Sequence, residues 1–451
     1  MSYARQIITE FAKPVPRYTS YPTAPHFNEA VQQNQVKKWM SKIDAETPIS
    51  IYIHIPFCDR LCWFCGCHTK HTLKYEPVKR YLKDLHKELA LAKAAIGRKQ
   101  RIRHLHLGGG SPSLLKPQEL TMLKDALKTN FQFEWDTEIS LEFDPTDLNE
   151  EALKAFVDFG VTRASLGVQD FNPKVQEAIN RSQTFEQTQW VIETLRTYGV
   201  SSLNIDALYG LPFQTLSTLK ATLERVAALS PDRIALFGYA HVPWVKPHQK
   251  LIKDDSLPDM YERFQQARFA EKFLSDSDYL PIGMDHFSKC EDSLARALRE
   301  QRLHRNFQGY TTDNCQTLLG FGVSSISQFP QGYTQNVKDT HSYRRSVIDG
   351  ILPTQRGIIL SQKDKIIAKA IEELMCYFTL TPTKLLEEFG PEASFIITEA
   401  EILVKRDKHG YFRKDENGFT LSHEGRPFAR SMAAHFDEYL NHNPSRYSVA
   451  V

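Results

Sequence analysis

Short apolar runs rich in β-branched residues alternate along this chain with helix-length amphipathic segments. That alternation predicts βα units around a parallel sheet, because parallel neighbours need a long crossover that is usually a helix. Six runs read as strands: SIYIHI at 50–55, IRHLHL at 102–107, EISLEF at 138–143, RASLGV at 163–168, SLNIDA at 202–207 and RIALFGY at 233–239. Their near-continuous apolar character implies burial on both faces. Amphipathic stretches at 78–93, 119–128, 185–196 and 216–229 supply helices between them. The expected fold is α/β, a partial (β/α)6 TIM-like barrel whose active site lies at the C-terminal ends of the strands. Residues directly after each strand should then carry the chemistry, and they read HIPFC, GGGSP, EFDP, GVQDF, DALYGLP and YAHVP.

Flanking segments differ in character. An arm at 1–47 is expected to cover the barrel mouth, and its stretch punctuated by prolines from Pro14 to Pro25 should have little regular structure. The barrel and its extension occupy 48–356. Beyond Gly357 helical patterns at 361–378 and 392–405 precede a hairpin, GYFRKDENGFTLS, so 357–451 is expected to be a mainly helical, winged-helix-like domain.

Composition narrows the function. With 451 residues, 41% hydrophobic and 24% charged, the chain is an ordinary globular protein rather than a disordered one. A formal net charge of +2 and the lack of any Lys/Arg block argue against a nucleic-acid partner. The N-terminal stretch lacks the apolar core of a signal peptide and no run of eighteen apolar residues occurs, so a cytosolic protein without a membrane span is expected. No exposed heptad is evident, and a monomer is the default. Of seven cysteines four fall between Cys58 and Cys67, which is no disulfide framework.

Those four carry the strongest motif. Cys58, Cys62 and Cys65 are spaced three and then two residues apart in a loop directly after the first strand. Three thiolates from one tight loop can hold three irons of a cubane and leave the fourth iron open. A zinc site is the alternative; it needs four protein ligands, for which Cys67 or His68 would have to serve, and no second C-x-x-C exists. Next, Gly108, Gly109 and Gly110 before Ser111 and Pro112 would let the backbone approach a ligand closely. Glu142, Gln169 and Asp206 end later strands, where carboxylates and amides can meet ribose hydroxyls or an ammonium, and Arg181 can fork onto a carboxylate. Asp144 and Asp170 read more simply as helix caps.

C-x-x-x-C-x-x-C after a first barrel strand resembles the signature of the radical S-adenosylmethionine superfamily. There the open iron is chelated by the sulfonium cofactor, and an electron from the cluster splits its C5′–S bond. The whole chain also resembles the oxygen-independent coproporphyrinogen III dehydrogenases of bacterial heme biosynthesis. The likeness runs through Pro16 to Thr23, Tyr52 to Cys58, Cys67 after Gly66, Gly108 to Pro112, Leu141 to Pro145, Gly167 to Phe171, Asn204 to Asp206, Tyr209 to Pro212, Tyr239 to His241, Gly283 to Phe287 and His304 to Thr312. That resemblance implies one [4Fe-4S] cluster on Cys58, Cys62 and Cys65, and two S-adenosylmethionine molecules. Tyr52, Gly109, Gly110, Ser111, Glu142, Gln169, Arg181, Asp206 and Ala240 would surround the first. Leu208, Phe307, Gln308 and Ile326 would line the second. Ser111 stands where the family is expected to have Thr, and Leu208 where it has Ile. The implied reaction converts two propionates of coproporphyrinogen III to vinyl groups, giving protoporphyrinogen IX, with an electron donor for the cluster and an electron acceptor that the sequence does not name.

Tyr52 and Cys67 are the implied catalytic participants, although Cys67 on the open iron would compete with the cofactor and its simpler role is loop packing. The acidic substrate needs cations, and Arg17, Arg60, Lys246 and Arg305 are candidates, Arg17 by reaching a propionate from the arm. A heme-binding paralogue that shares the cluster motif is set aside because it is expected to lack both the arm motif and Cys67. Another two-cofactor radical enzyme is disfavoured by the arm, Cys67 and the terminal domain.

Overall fold

The computed structural model describes residues 3–440 and 447–449; of the expected arm and C-terminal domain, 1–2, 441–446 and 450–451 lie outside the described residues. Six strands, β1 (Ile49–Ile55), β2 (Gln100–Gly109), β3 (Phe131–Phe143), β4 (Arg163–Gln169), β5 (Ser202–Tyr209) and β6 (Arg233–Gly238), lie side by side and parallel in chain order. Helices Glu76–Ile96, Pro117–Asn130, Glu150–Phe159, Phe185–Thr197 and Leu216–Ala228 make the crossovers. Side-chain oxygens of Asn149, Thr184 and Thr215 accept N–H groups at the starts of the last three, satisfying donors that a helix cannot pair itself.

Six further strands extend the sheet: β7 (Leu280–Ile282), β8 (His286–Ser288), β9 (Leu318–Phe321), β10 (Ile326–Phe329), β11 (Gly332–Asn336) and β12 (Thr354–Ile359). The order is β12-β11-β10-β9-β1-β2-β3-β4-β5-β6-β8-β7, an open, partial barrel with β12 and β7 at its edges. β9 adds a seventh parallel strand against β1, while β8 runs antiparallel to β6. Of these later strands β7 to β10 are only three or four residues long, too short for a hydrophobic period to show in the sequence.

Burial on both faces holds for β1, where six of seven residues are buried, and is corrected for β4 and β5. Along β4, Ala164, Leu166 and Val168 are buried while Arg163, Ser165, Gly167 and Gln169 are only partly so. β5 alternates in the same way, with Leu203 and Ile205 buried and Asn204 and Asp206 on the opposite face. One face packs in the main apolar core with the helices. Polar side chains on the other bond one another across strands, as in Ser165 Oγ to Asp206 Oδ2 (3.0 Å) and Arg163 to Glu138 (2.8 Å). Aliphatic residues there would fill the concavity; polar ones leave it open to ligands.

Helices Gln362–Tyr377, Pro382–Phe389 and Ser394–Arg406 follow, then a hairpin of Phe412–Asp415 and Gly418–Leu421 with Thr379–Leu380 as its third strand. Their apolar core takes in Tyr18 and Tyr21 of the arm. The arm holds two helices that the sequence does not lead one to expect, Tyr3–Phe11 and Gln33–Met40, on either side of its proline stretch. Among the described residues no helix is long and apolar enough to cross a membrane. The irregular proline stretch between them is well anchored: Tyr18 Oη donates to Asp437 Oδ2 (3.0 Å) and Arg17 Nη2 donates to the Gly238 carbonyl at the end of β6 (2.8 Å). Tyr18→Phe should lower unfolding free energy by about 1–3 kcal/mol in urea titrations, because buried Asp437 loses a donor. An unchanged midpoint would show that this bond adds nothing.

Candidate active site at the barrel mouth

Cys58 ends a short strand, Phe57–Cys58, that pairs in parallel with Lys70–His71 and so closes the loop between them. The loop's carbonyls are tied back to other elements. Asn180 Nδ2 donates to Leu61 O (2.8 Å), Gln249 Nε2 to Phe64 O (2.9 Å), His248 Nε2 to Cys65 O (2.8 Å) and Lys246 Nζ to Cys67 O (2.8 Å). Trp63 and Phe64 pack on Ile179, Leu208, Leu211 and Tyr239. With backbone and aromatic groups anchored, the partly buried thiols of Cys58, Cys62 and Cys65 neighbour one another. Burial pushes the Cys58 thiol up, and the nearness of Cys65 and Cys62 adds to it. Three thiolates this close repel unless cations lie between them, which is the demand a cubane meets with one iron per sulfur. Among the described residues no three His, Cys, Asp or Glu side chains are grouped closely enough to hold a single metal ion.

Cys67 lines the open side of the loop, and its backbone N–H donates to Cys65 Sγ (3.4 Å). That N–H, together with the Cys67 thiol, pulls Cys65 below its ordinary value although burial opposes the shift. Buried Arg181 sends Nη1 to Cys62 Sγ (3.7 Å), but its fork is held by Asp144, at 3.1 Å through both nitrogens, while Nη2 also reaches Gly167 O (2.6 Å). Asp144 also accepts the Thr146 N–H (3.1 Å) and caps the short turn Pro145–Asp147 as expected, whereas Asp170 accepts the Asn172 N–H (2.6 Å) and the cap of the helix Pro173–Ala178 is Asn172.

The glycine run is packed against the start of the thiol loop. Gly110 N–H donates to Ile55 O and Ser111 N–H to Phe57 O, each at 2.8 Å. A Cβ on Gly110 would sit 2.6 Å from Phe57 O, and one on Gly109, at φ +112°, 2.4 Å from the His54 ring. Gly109 N–H donates to Glu142 Oε2 (2.9 Å), and His106 Nε2 lies 3.3 Å from Oε1. Burial works to raise Glu142, yet His106 and the Gly109 N–H hold its carboxyl below the ordinary value. Buried Ser111 shares a hydrogen bond with Ser113 (2.8 Å).

Tyr52 stacks on His106 (5.7 Å between centroids), and its hydroxyl meets His54 Nδ1 at 3.0 Å. His54 Nε2 faces the His68 carbonyl at 2.8 Å and must carry the proton there, so Nδ1 accepts from Tyr52. Burial lowers His54 to about 4 and keeps it neutral. Asp206, on the inner face of β5, is pushed up to about 6 by burial and by the charge of Glu142, against hydrogen bonds from Ser165 and Asn204 (2.7 Å). Gln169 sits at φ +68°, an unusual conformation for a residue with a side chain. The Ala240 carbonyl accepts from Gln249 Nε2 (3.2 Å). Of the four residues expected at a second site, Phe307 and Ile326 share an apolar group with Phe27 and Tyr333, Gln308 is exposed, and Leu208 belongs to the group beneath the thiol loop. Arg60 donates to Ser182 O (3.2 Å) and Arg305 to Arg17 O (3.2 Å).

His54, His106, His248, Gln249 and Asn180 were not anticipated. The first two could have been found from the strict alternation of Tyr52 with His54 and of His104 with His106. The other three reach the loop from elsewhere in the chain and leave no local signal.

A family model, the radical SAM superfamily, matches residues 52–226. Anaerobic coproporphyrinogen III oxidase 1 of Cereibacter sphaeroides is 43% identical over 436 residues, covering 97% of this chain and 96% of that one. The oxygen-independent coproporphyrinogen III oxidase of Helicobacter pylori is 38% identical over 98% of this chain and 97% of its own length. Among solved structures, the coproporphyrinogen III oxidase of Escherichia coli, a radical SAM enzyme, superposes with a TM-score of 0.89 at 39% identity, covering 94% of this chain and 98% of that one. At 43% identity over 97% of its length to one such oxidase, and with the fold of another, this chain belongs to the oxygen-independent coproporphyrinogen III oxidase family of radical SAM enzymes.

Proposed function

We propose that this chain catalyses the oxygen-independent oxidative decarboxylation of coproporphyrinogen III, converting two propionates to vinyl groups and giving protoporphyrinogen IX and two CO2. The observation that carries the reading is a three-thiol loop at the mouth of an open barrel in a chain 43% identical, over 97% of its length, to an enzyme of that name. Cys58, Cys62 and Cys65 would hold a [4Fe-4S] cluster. Tyr52, Gly109, Gly110, Ser111, Glu142, Gln169, Arg181, Asp206 and Ala240 would surround one S-adenosylmethionine, and Leu208, Phe307, Gln308 and Ile326 a second. The chemistry these groups supply when bound is a 5′-deoxyadenosyl radical able to take hydrogen from a propionate β-carbon. The protein would work as a cytosolic monomer with an arm at 1–47, a barrel unit at 48–356 and a helical unit at 357–451, receiving electrons from a donor and passing the substrate's electron to an acceptor.

The chain's own groups have defined tasks in this reading. Glu142, kept anionic by His106 and the Gly109 N–H, presents a fixed acceptor to an ammonium or a ribose hydroxyl. Tyr52 keeps its proton, since burial and the Glu142 charge both raise it, and so acts as a donor rather than a base. Arg181 neutralises Asp144 and faces Cys62, offsetting negative charge beside the cluster loop.

Asp206 gives a pH-dependent test. A carboxyl whose folded-state pKa is raised adds stability that is full below its unfolded value of about 3.8 and is lost as pH rises through about 6. Asp206→Asn should therefore raise the unfolding free energy of cluster-free protein at pH 8 by about 2–3 kcal/mol, with a smaller gain at pH 5, while weakening S-adenosylmethionine binding to the reconstituted enzyme. Destabilisation at pH 8 would mean that Ser165 and Asn204 fully compensate the buried charge.

The activity itself is tested anaerobically. Reconstituted protein given dithionite, S-adenosylmethionine and coproporphyrinogen III should release 5′-deoxyadenosine and form protoporphyrinogen IX, read as protoporphyrin fluorescence after oxidation. Release of 5′-deoxyadenosine without protoporphyrin would keep the cluster chemistry and overturn the substrate.

A further inference from the structure

A cavity of about 630 Å³ lies beyond the ends of β5 and β6, where Tyr209 and Tyr239 form part of its wall. The helix Met260–Asp276 turns one stripe toward it, including Arg263, Phe264 and Arg268. The arm contributes Arg17 and the C-terminal helical unit Arg426 and Arg430. Five guanidinium groups thus line the space against two carboxylates, Glu271 and Asp285. Both carboxylates are already engaged, Glu271 with Arg268 (2.6 Å) and Asp285 with His286 (2.8 Å). Among the described residues Arg17, Arg263 and Arg426 have no acidic partner within ion-pair distance, and Arg263 Nε is buried without a hydrogen bond. Burial, with Arg17 adding to it, lowers Arg263 from its ordinary value. A guanidinium with a buried, unpartnered nitrogen beside a second cation, as Arg263 is beside Arg17, is stabilised by an anion. The rest of the wall is broad and apolar, with Trp244, Phe264, Phe287 and Phe378 presenting rings.

We propose that this cavity receives the tetrapyrrole, with Arg17, Arg263 and Arg426 facing the two carboxylates that the reaction leaves in place. The inference rests on the substrate reading above and deepens it. A carboxylate that departs as CO2 loses its charge on the way, so a guanidinium clamped on it would stabilise the reactant more than the transition state and slow the step. A clamp on the retained carboxylates binds reactant and transition state alike and fixes the ring's orientation. The cations converge from three regions of the chain, so the site forms only when arm, barrel and C-terminal unit are docked.

The test uses reconstituted holoenzyme without S-adenosylmethionine, titrated with coproporphyrin III, protoporphyrin IX or protoporphyrin IX dimethyl ester, and read by tryptophan emission and the porphyrin absorption band. Both free acids should bind and quench emission, and the ester should bind at least tenfold more weakly. Trp244→Phe should lose most of the quench while the absorption shift persists, which places the ring against that wall. Arg263→Gln should weaken both acids at least tenfold and raise KM for coproporphyrinogen III, with Arg263→Lys recovering part of the loss and S-adenosylmethionine affinity unchanged. Equal binding of ester and acid, or an Arg263→Gln variant with unaltered affinity, would overturn the proposal; binding of coproporphyrin III but not protoporphyrin IX would overturn the assignment to the retained pair. If wild-type enzyme released 5′-deoxyadenosine without forming protoporphyrin, the substrate reading would fall on that result alone, and the titrations would still report whether the cavity binds porphyrin carboxylates.

Discussion

Cys62→Ala is expected to give a folded chain with iron below about one per molecule, against about four in the wild type, and with turnover reduced by at least about 10³-fold. The loop's position does not depend on the Cys62 side chain. Its carbonyls are held by Asn180, Gln249, His248 and Lys246, and Trp63 and Phe64 stay packed. The unfolding free energy of cluster-free protein should therefore move by only about 0.5 kcal/mol, as for an ordinary substitution outside the core. Cys67→Ala provides the contrast. Residue 67 meets Cys65 Sγ through its thiol, which alanine removes, and through its backbone N–H, which alanine retains. Iron content should stay near that of wild type, and any lost activity must then come from the missing thiol itself. Iron and sulfide analysis beside a 5′-deoxyadenosine assay separates the two variants; full iron in Cys62→Ala would remove that residue from the ligand set.

Gly110→Ala should be nearly as severe without touching a ligand. Its Cβ would stand 2.6 Å from Phe57 O and 2.8 Å from Ile55 O, both backbone atoms at the junction of β1 and the cluster loop. Neither can rotate away, so the strand end must shift and carry Cys58 with it. Overpacking of this kind costs about 1–3 kcal/mol. The larger consequence is misplacement of one thiol relative to the other two, which should leave iron incorporation incomplete and 5′-deoxyadenosine release down by about 10²-fold or more, since small displacements are amplified at reacting centres. Gly97→Ala serves as a control: a Cβ there meets nothing within 4 Å, and its φ of +84° gives the local backbone cost alone. Equal iron content in the two variants would refute the steric account.

What could be read in advance was local. The spacing of Cys58, Cys62 and Cys65, the glycines after β2 and the six parallel strands each lie within a few residues, where chain geometry sets what the side chains can do together. The polar lining of the barrel was also written locally, in the alternation of His104 and His106 with Leu105 and Leu107, but it was hidden because the segment as a whole scores as apolar. The partner of Arg181 was out of reach: Asp144 meets it across 37 positions, so a residue that looks like a free carboxylate clamp is largely committed to an internal pair. The arginines of the cavity are further apart still, and nothing around Arg17, Arg263 or Arg426 marks them as neighbours.

The arm's anchorage has a bearing on synthesis. Tyr18 is bonded to Asp437, and Arg430 to the carbonyls of Val15 and Pro16, contacts spanning more than 410 positions. At about 5–20 residues per second, the arm emerges on the order of tens of seconds before its anchors exist. During that interval the barrel, whose strands are contiguous in the chain, can form while its mouth is still uncovered. Under the proposed function, iron and sulfide would reach the thiol loop in that interval, ahead of the bonds that tie the arm to Asp437 and Arg430.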